Sequence, residues 1–180
     1  MLKRSVVLAS AISVLLVGVS GCGGGDGAEP GGGSSEEWPV RITTTGDVES
    51  TLNTNGSIFC GADDLGGADY VFELYAMSPP QQFNLRMNRD LAVGAHPIVG
   101  SDDEERYQGA VAYFYYEGPE RRDFNQVENG TITIENIPTA AGEDFVATIE
   151  ADMREEDGAS IRFTADLDVT AGRQTFDECP

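Results

Sequence analysis

The stretch Phe145-Val146-Ala147-Thr148-Ile149-Glu150-Ala151-Asp152-Met153-Arg154 decides the fold, together with its continuation Ile161-Arg162-Phe163-Thr164-Ala165-Asp166-Leu167-Asp168-Val169-Thr170. In the first run Phe145, Ala147, Ile149, Ala151 and Met153 share one face, and Val146, Thr148, Glu150, Asp152 and Arg154 take the other. In the second, Ile161, Phe163, Ala165, Leu167 and Val169 oppose Arg162, Thr164, Asp166, Asp168 and Thr170. Successive side chains of a strand point to opposite faces, so this period of two describes strands with one apolar and one wet face. The short Glu155-Glu156-Asp157-Gly158 link between them contains Asp-Gly and predicts a β-hairpin.

Working outward, Gly130-Thr131-Ile132-Thr133-Ile134-Glu135-Asn136-Ile137 alternates in the same way and stops at Pro138. Residues 107–116 are rich in aromatics and alanine. They read as a strand buried on both faces or one presenting aromatics outward. Residues 70–76 and 82–87, separated by Ser78-Pro79-Pro80, predict a second hairpin, and residues 40–45 and 48–52 two shorter strands. Residues 174–177 read as a closing edge strand. No segment carries a sustained 3.6-residue apolar stripe, and the best helical candidate is a single turn at residues 57–62. The expectation is therefore an all-β fold: an antiparallel β-sandwich or barrel-like closure of about eight or nine strands.

This β-domain should occupy residues 38–180, which is ordinary single-domain size. Residues 22–37 are different. The segment after Cys22 reads GGGDGAEPGGGSSEE, with seven Gly in 15 residues and no large apolar side chain. It cannot bury enough surface to offset its ordering entropy, and it is expected to act as a flexible tether. A phosphate-cradling loop is excluded, because no strand precedes it and no Gly-Lys-Ser/Thr ends it.

Residues 1–21 carry an address. Lys3 and Arg4 precede an uncharged, apolar or small run from Ser5 to Val19. As a helix that run rises roughly 22 Å, short of the ~30 Å bilayer core, which fits a signal peptide rather than a permanent span. The run ends in Val19-Ser20-Gly21-Cys22. This resembles the lipobox of bacterial lipoproteins. The resemblance implies that Cys22 receives diacylglycerol and that cleavage follows Gly21. Stable anchoring takes more than one acyl chain, and such lipidation supplies at least two. Gly23, rather than Asp, implies outer-membrane sorting where the source has two membranes. Residues 107–170, with their GTITI strand and alternating hairpin, resemble small secreted lipoproteins of β-sandwich type. That second resemblance implies no activity.

The remaining cysteines, Cys60 and Cys179, form an even pair in an oxidising compartment and are expected to join as a disulfide. Closing a loop of about 120 residues contributes at most ~4–5 kcal/mol in the chain-entropy model. Free thiols or a redox pair are the alternatives, although no Cys-x-x-Cys is present.

Charge bounds the function further. The only Lys is Lys3, and the chain after Gly21 keeps nine Arg against 31 Asp and Glu, a formal net charge of −22. Such a surface repels nucleic acid and anionic headgroups. It also suits a saline setting, where salt screens self-repulsion. His96 is the sole histidine and precedes Pro97 in what reads as a loop. No Gly-x-Ser-x-Gly accompanies it, so no residue is assigned a catalytic role and no cofactor or zinc site is expected. Asp102-Asp103-Glu104-Glu105 is the densest carboxylate run and a candidate cation site. Asp63-Asp64 and Glu155-Glu156-Asp157 are weaker ones, and none has the spacing of a calcium loop. Tyr113 and Tyr115 share one face of their strand, Phe114 and Tyr116 the other. Tyr113 and Tyr115 form a candidate aromatic platform. These features predict a membrane-anchored envelope lipoprotein with a non-enzymatic binding or structural domain, partnered by an envelope protein or a glycan. The competing expectation is a carboxylate-dependent hydrolase or a Ca²⁺-assisted carbohydrate-binding module.

Overall fold

A computed structural model describes residues 38–62, 70–101, 109–117, 119–156 and 158–176, with the side chains of residues 62, 70, 110–112, 114, 116 and 117 left aside. Among the described residues, twelve strands run in chain order: β1 (Val40–Gly46), β2 (Ser50–Thr54), β3 (Gly56–Ala62), β4 (Tyr70–Ser78), β5 (Gln81–Asn88), β6 (Gly94–Pro97), β7 (Val99–Gly100), β8 (Gly109–Glu117), β9 (Glu120–Phe124), β10 (Gln126–Asn136), β11 (Asp144–Arg154) and β12 (Ser160–Thr170). A 3-10 turn, Arg173–Phe176, follows.

The strands form two sheets. The first has the order β2-β1-β12-β11-β10-β6 and is antiparallel throughout. The second has the order β3-β4-β5-β8-β7, with β9 also on β8, and its β7–β8 pair is parallel. The sandwich expectation holds.

The β11–β12 hairpin lies at the centre of the first sheet. β11 and β12 pair without a slip from Asp144↔Thr170 to Arg154↔Ser160. Register is pinned because a one-residue shift would move the apolar set into water. The turn closes through Glu155 N–H to Ala159 O at 2.9 Å, and Gly158 takes φ 102°, a left-handed conformation that glycine adopts at little cost.

Every inward position named for these two strands is buried, and they join one core with Val40 and Ile42 of β1, Leu74 of β4, and Phe83, Leu85 and Met87 of β5. Phe163 is the contact between layers. Its ring stacks on Phe83 at 5.6 Å and leans on Tyr113 at 5.6 Å, and both partners belong to the second sheet. Fully burying such side chains contributes about 1.5–3 kcal/mol each.

Three expectations are corrected. Residues 57–62 are not a helical turn but lie in edge strand β3. A seven-residue ladder with β4, from Gly56↔Ala76 to Ala62↔Tyr70, outweighs local propensity, with Ile58 and Cys60 inward and Phe59 exposed. Residues 174–176 belong to a 3-10 turn rather than an edge strand. Buried Thr175 donates its hydroxyl to Ile58 O at 2.8 Å, so the turn caps β3 instead of pairing with it. The strand count rises above nine mainly through short β6, β7 and β9, which have too few residues to show alternation.

Close backbone crossing explains one of the short strands. A Cβ on Gly100 of β7 would stand 1.7 Å from Asn125 O, so only glycine admits that approach.

Phe163→Ala should lower unfolding free energy by about 3–5 kcal/mol, the range for emptying a buried aromatic site. Urea denaturation checks this, and a loss under about 1 kcal/mol would contradict the central place given to that ring.

Candidate functional site

The expected platform is not one. β8 turns Tyr113 inward, where it is 0% exposed and packs against Phe163 and Phe124. Its hydroxyl hydrogen-bonds Ser50 Oγ at 2.8 Å, and Ser50 in turn meets Thr44 Oγ1 at 2.8 Å. Burial raises the Tyr113 pKa, partly offset by the hydrogen bonds from Ser50 and Thr44. Tyr115 is also partly buried against the core. The facing first sheet needs apolar cover, and these rings supply it. The side chains of Phe114 and Tyr116 lie outside the described residues, as do Cys22, Cys179, Asp63, Asp64 and the whole Asp102, Asp103, Glu104, Glu105 run.

His96 lies on edge strand β6, and its Nε2 is 2.7 Å from Ala92 O. A carbonyl contact of that kind holds the ring in place against its own loop. Among the described residues, no group of three or more His, Cys, Asp or Glu is arranged to hold a metal ion. No helix among them is long and apolar enough to cross a membrane.

Glu155, from another acidic run, has a structural task. Its carboxylate receives Arg122 Nε at 3.1 Å and Nη2 at 2.8 Å, and the guanidinium lies 5.3 Å over the Phe124 ring. Both side chains are largely buried. This pair ties β9 of the second sheet to the β11–β12 turn of the first. Asp47 reinforces the corner from the β1–β2 turn, accepting Ser160 N–H at 2.7 Å on Oδ2.

The chemistry-bearing surface is the outer face of the first sheet. Pairing brings Thr133, Thr148, Asp166 and Arg41 into one row, and Thr131, Glu150, Thr164 and Thr43 into the next. Arg162 reaches Glu150 at 2.9 Å and Asp152 at 2.9 Å, and Arg41 approaches Asp166 at 3.6 Å. The hydrogen bond to Asp152 is the main cause of a raised Arg162 pKa.

A shallow concavity of about 340 Å³ lies over Asn129, Thr131, Thr133, Thr148, Glu150 and Arg162. A second shares Thr148 and extends to Trp38 and Asp168. A third shares Arg162 and extends to Thr45, Asp152 and Ser160. Sequence reasoning placed most of these residues on the wet face without recognising a site. The outward Thr-x-Thr pairs at 43/45 and 131/133 were the available signal. The meeting of Arg162 with Glu150 and Asp152 needs the register.

No protein-family model, curated protein or solved structure matches the chain.

Glu155→Gln and Arg122→Met should each cost about 1.5–3 kcal/mol, the range for a hydrogen bond to a charged group. The double variant should cost clearly less than the sum. Additive losses in a denaturation cycle would show that the pair does not couple the two sheets.

Proposed function

We propose that this chain is a bacterial envelope lipoprotein, lipidated at Cys22 after cleavage behind Gly21, whose acidic β-sandwich binds a partner without chemically altering it. The tether at residues 22–37 holds the sandwich clear of the lipid headgroups. Gly23 favours the outer membrane in a source with two membranes.

The observation that carries the binding role is the state of the outer-face carboxylates. Glu150 and Asp152 meet Arg162, and Asp166 meets Arg41, over open, shallow concavities. General acid–base or glycosidase chemistry calls for a carboxylate pair held around an enclosed substrate. A face of hydroxyls and charge-paired groups suits reversible hydrogen bonding instead.

The proposed disulfide joins Cys60 to Cys179. Phe176, three residues before Cys179, meets Phe72 edge-on at 6.3 Å, and Phe72 is the register partner of Cys60. That contact beside the strand partner of Cys60 supports the pairing. The bond would lock the 3-10 turn over β3.

In a bacterial host, metabolic labelling with radioactive palmitate should mark the wild-type chain and leave Cys22→Ala unlabelled. Label retained by Cys22→Ala, or wild-type chain recovered wholly in the soluble fraction, would overturn the anchoring.

A further inference from the structure

We propose that the outer face of the first sheet is a groove for a linear, uncharged polysaccharide, with Trp38 as the surface on which one sugar ring stacks. The inference deepens the binding role proposed above and rests on it.

Continuity is the first support. The first concavity shares Thr148 with the second and Arg162 with the third, so together they form one band across the sheet from Trp38 to Ser160. Along β12 that band runs from Asp168 to Ser160, roughly 26 Å at ~3.3 Å per residue. Its length suits an extended chain of several sugar rings better than a single small molecule.

Chemistry is the second. The lining offers threonine hydroxyls, which donate and accept, beside carboxylates that accept and guanidinium groups that donate. A polyhydroxyl ligand presents both donors and acceptors along its whole length. At one end Trp38, the only tryptophan in the chain, is 40% exposed and presents an apolar ring on which a sugar face could stack.

Charge selects among polymers. Glu128, Glu135, Glu150, Asp152, Asp166 and Asp168 outnumber Arg41 and Arg162, so the band repels anionic polymers such as uronic-acid chains or phosphate polymers. A basic peptide would need free carboxylates, yet four of these six already contact arginine. An uncharged chain meets neither penalty.

The sole tryptophan makes its fluorescence a reporter at the site itself. The full chain in detergent is titrated separately with cellohexaose, chitohexaose, polygalacturonate and decalysine, with calorimetry in parallel and product chromatography on each mixture. Saturable binding of at least one neutral hexasaccharide is expected. Trp38→Ala and Thr148→Arg should each weaken it about tenfold or more. Both positions are exposed, and circular dichroism verifies that each variant keeps its fold.

No saturable signal with either neutral hexasaccharide up to about 10 mM, or binding that both variants leave unchanged, would overturn the inference. Saturable binding of polygalacturonate or decalysine alone would also overturn it while leaving a binding module. Cleaved oligosaccharide on the chromatogram would instead overturn the non-enzymatic reading.

Discussion

Phe163, held between Phe83 and Tyr113, is the contact on which the two sheets close. It can occupy that place only because β11 and β12 pair without a slip over eleven residues each. Shift the register by one and Phe163 would turn to water, with Arg162 or Thr164 directed at Phe83. The same alternation that buries Phe163 therefore places Arg162 outside, opposite Asp152. Core and outer face are two readings of one register. Tyr113 extends the contact with a polar link, since its hydroxyl reaches Ser50 and through it Thr44 in the first sheet. A buried phenol without that partner would carry an unmet desolvation cost.

The acidic composition is handled differently inside and outside. At the corner of the sandwich, Glu155 is largely buried and bonded twice by Arg122, so its charge helps hold the layers. On the outer face, carboxylates meet arginines across strands, and these exposed pairs contribute little to stability individually. What they provide is a regular arrangement of donors and acceptors on a rigid sheet. Rigid elements hold such arrays more accurately than loops do.

Much of the fold was legible because one residue in two is apolar along β10, β11 and β12, and the inward set could be named residue by residue. The edge elements were not legible. In β3, Phe59 lies on the outer face between inward Ile58 and Cys60, and this exposed aromatic blurs the pattern. β7 is two residues long, and it exists because Gly100 lets Asn125 approach. The site was harder still. The Tyr113–Tyr115 face was visible from alternation, but which side of β8 faced the other sheet was not, and the phenol turned inward. The Arg162–Glu150–Asp152 cluster joins residues ten and twelve apart that only a register can bring together. The roles given to Cys22 and to Asp102–Glu105 concern residues outside those described.

Native-state hydrogen exchange under increasing urea tests most directly whether the two sheets are one cooperative body closed on Phe163. Paired amides of β11 and β12 and those of β5 and β8 should exchange with a single free energy equal to that of global unfolding. Exchange of the β5 and β8 amides at a clearly lower free energy, with β11 and β12 still protected, would contradict the account.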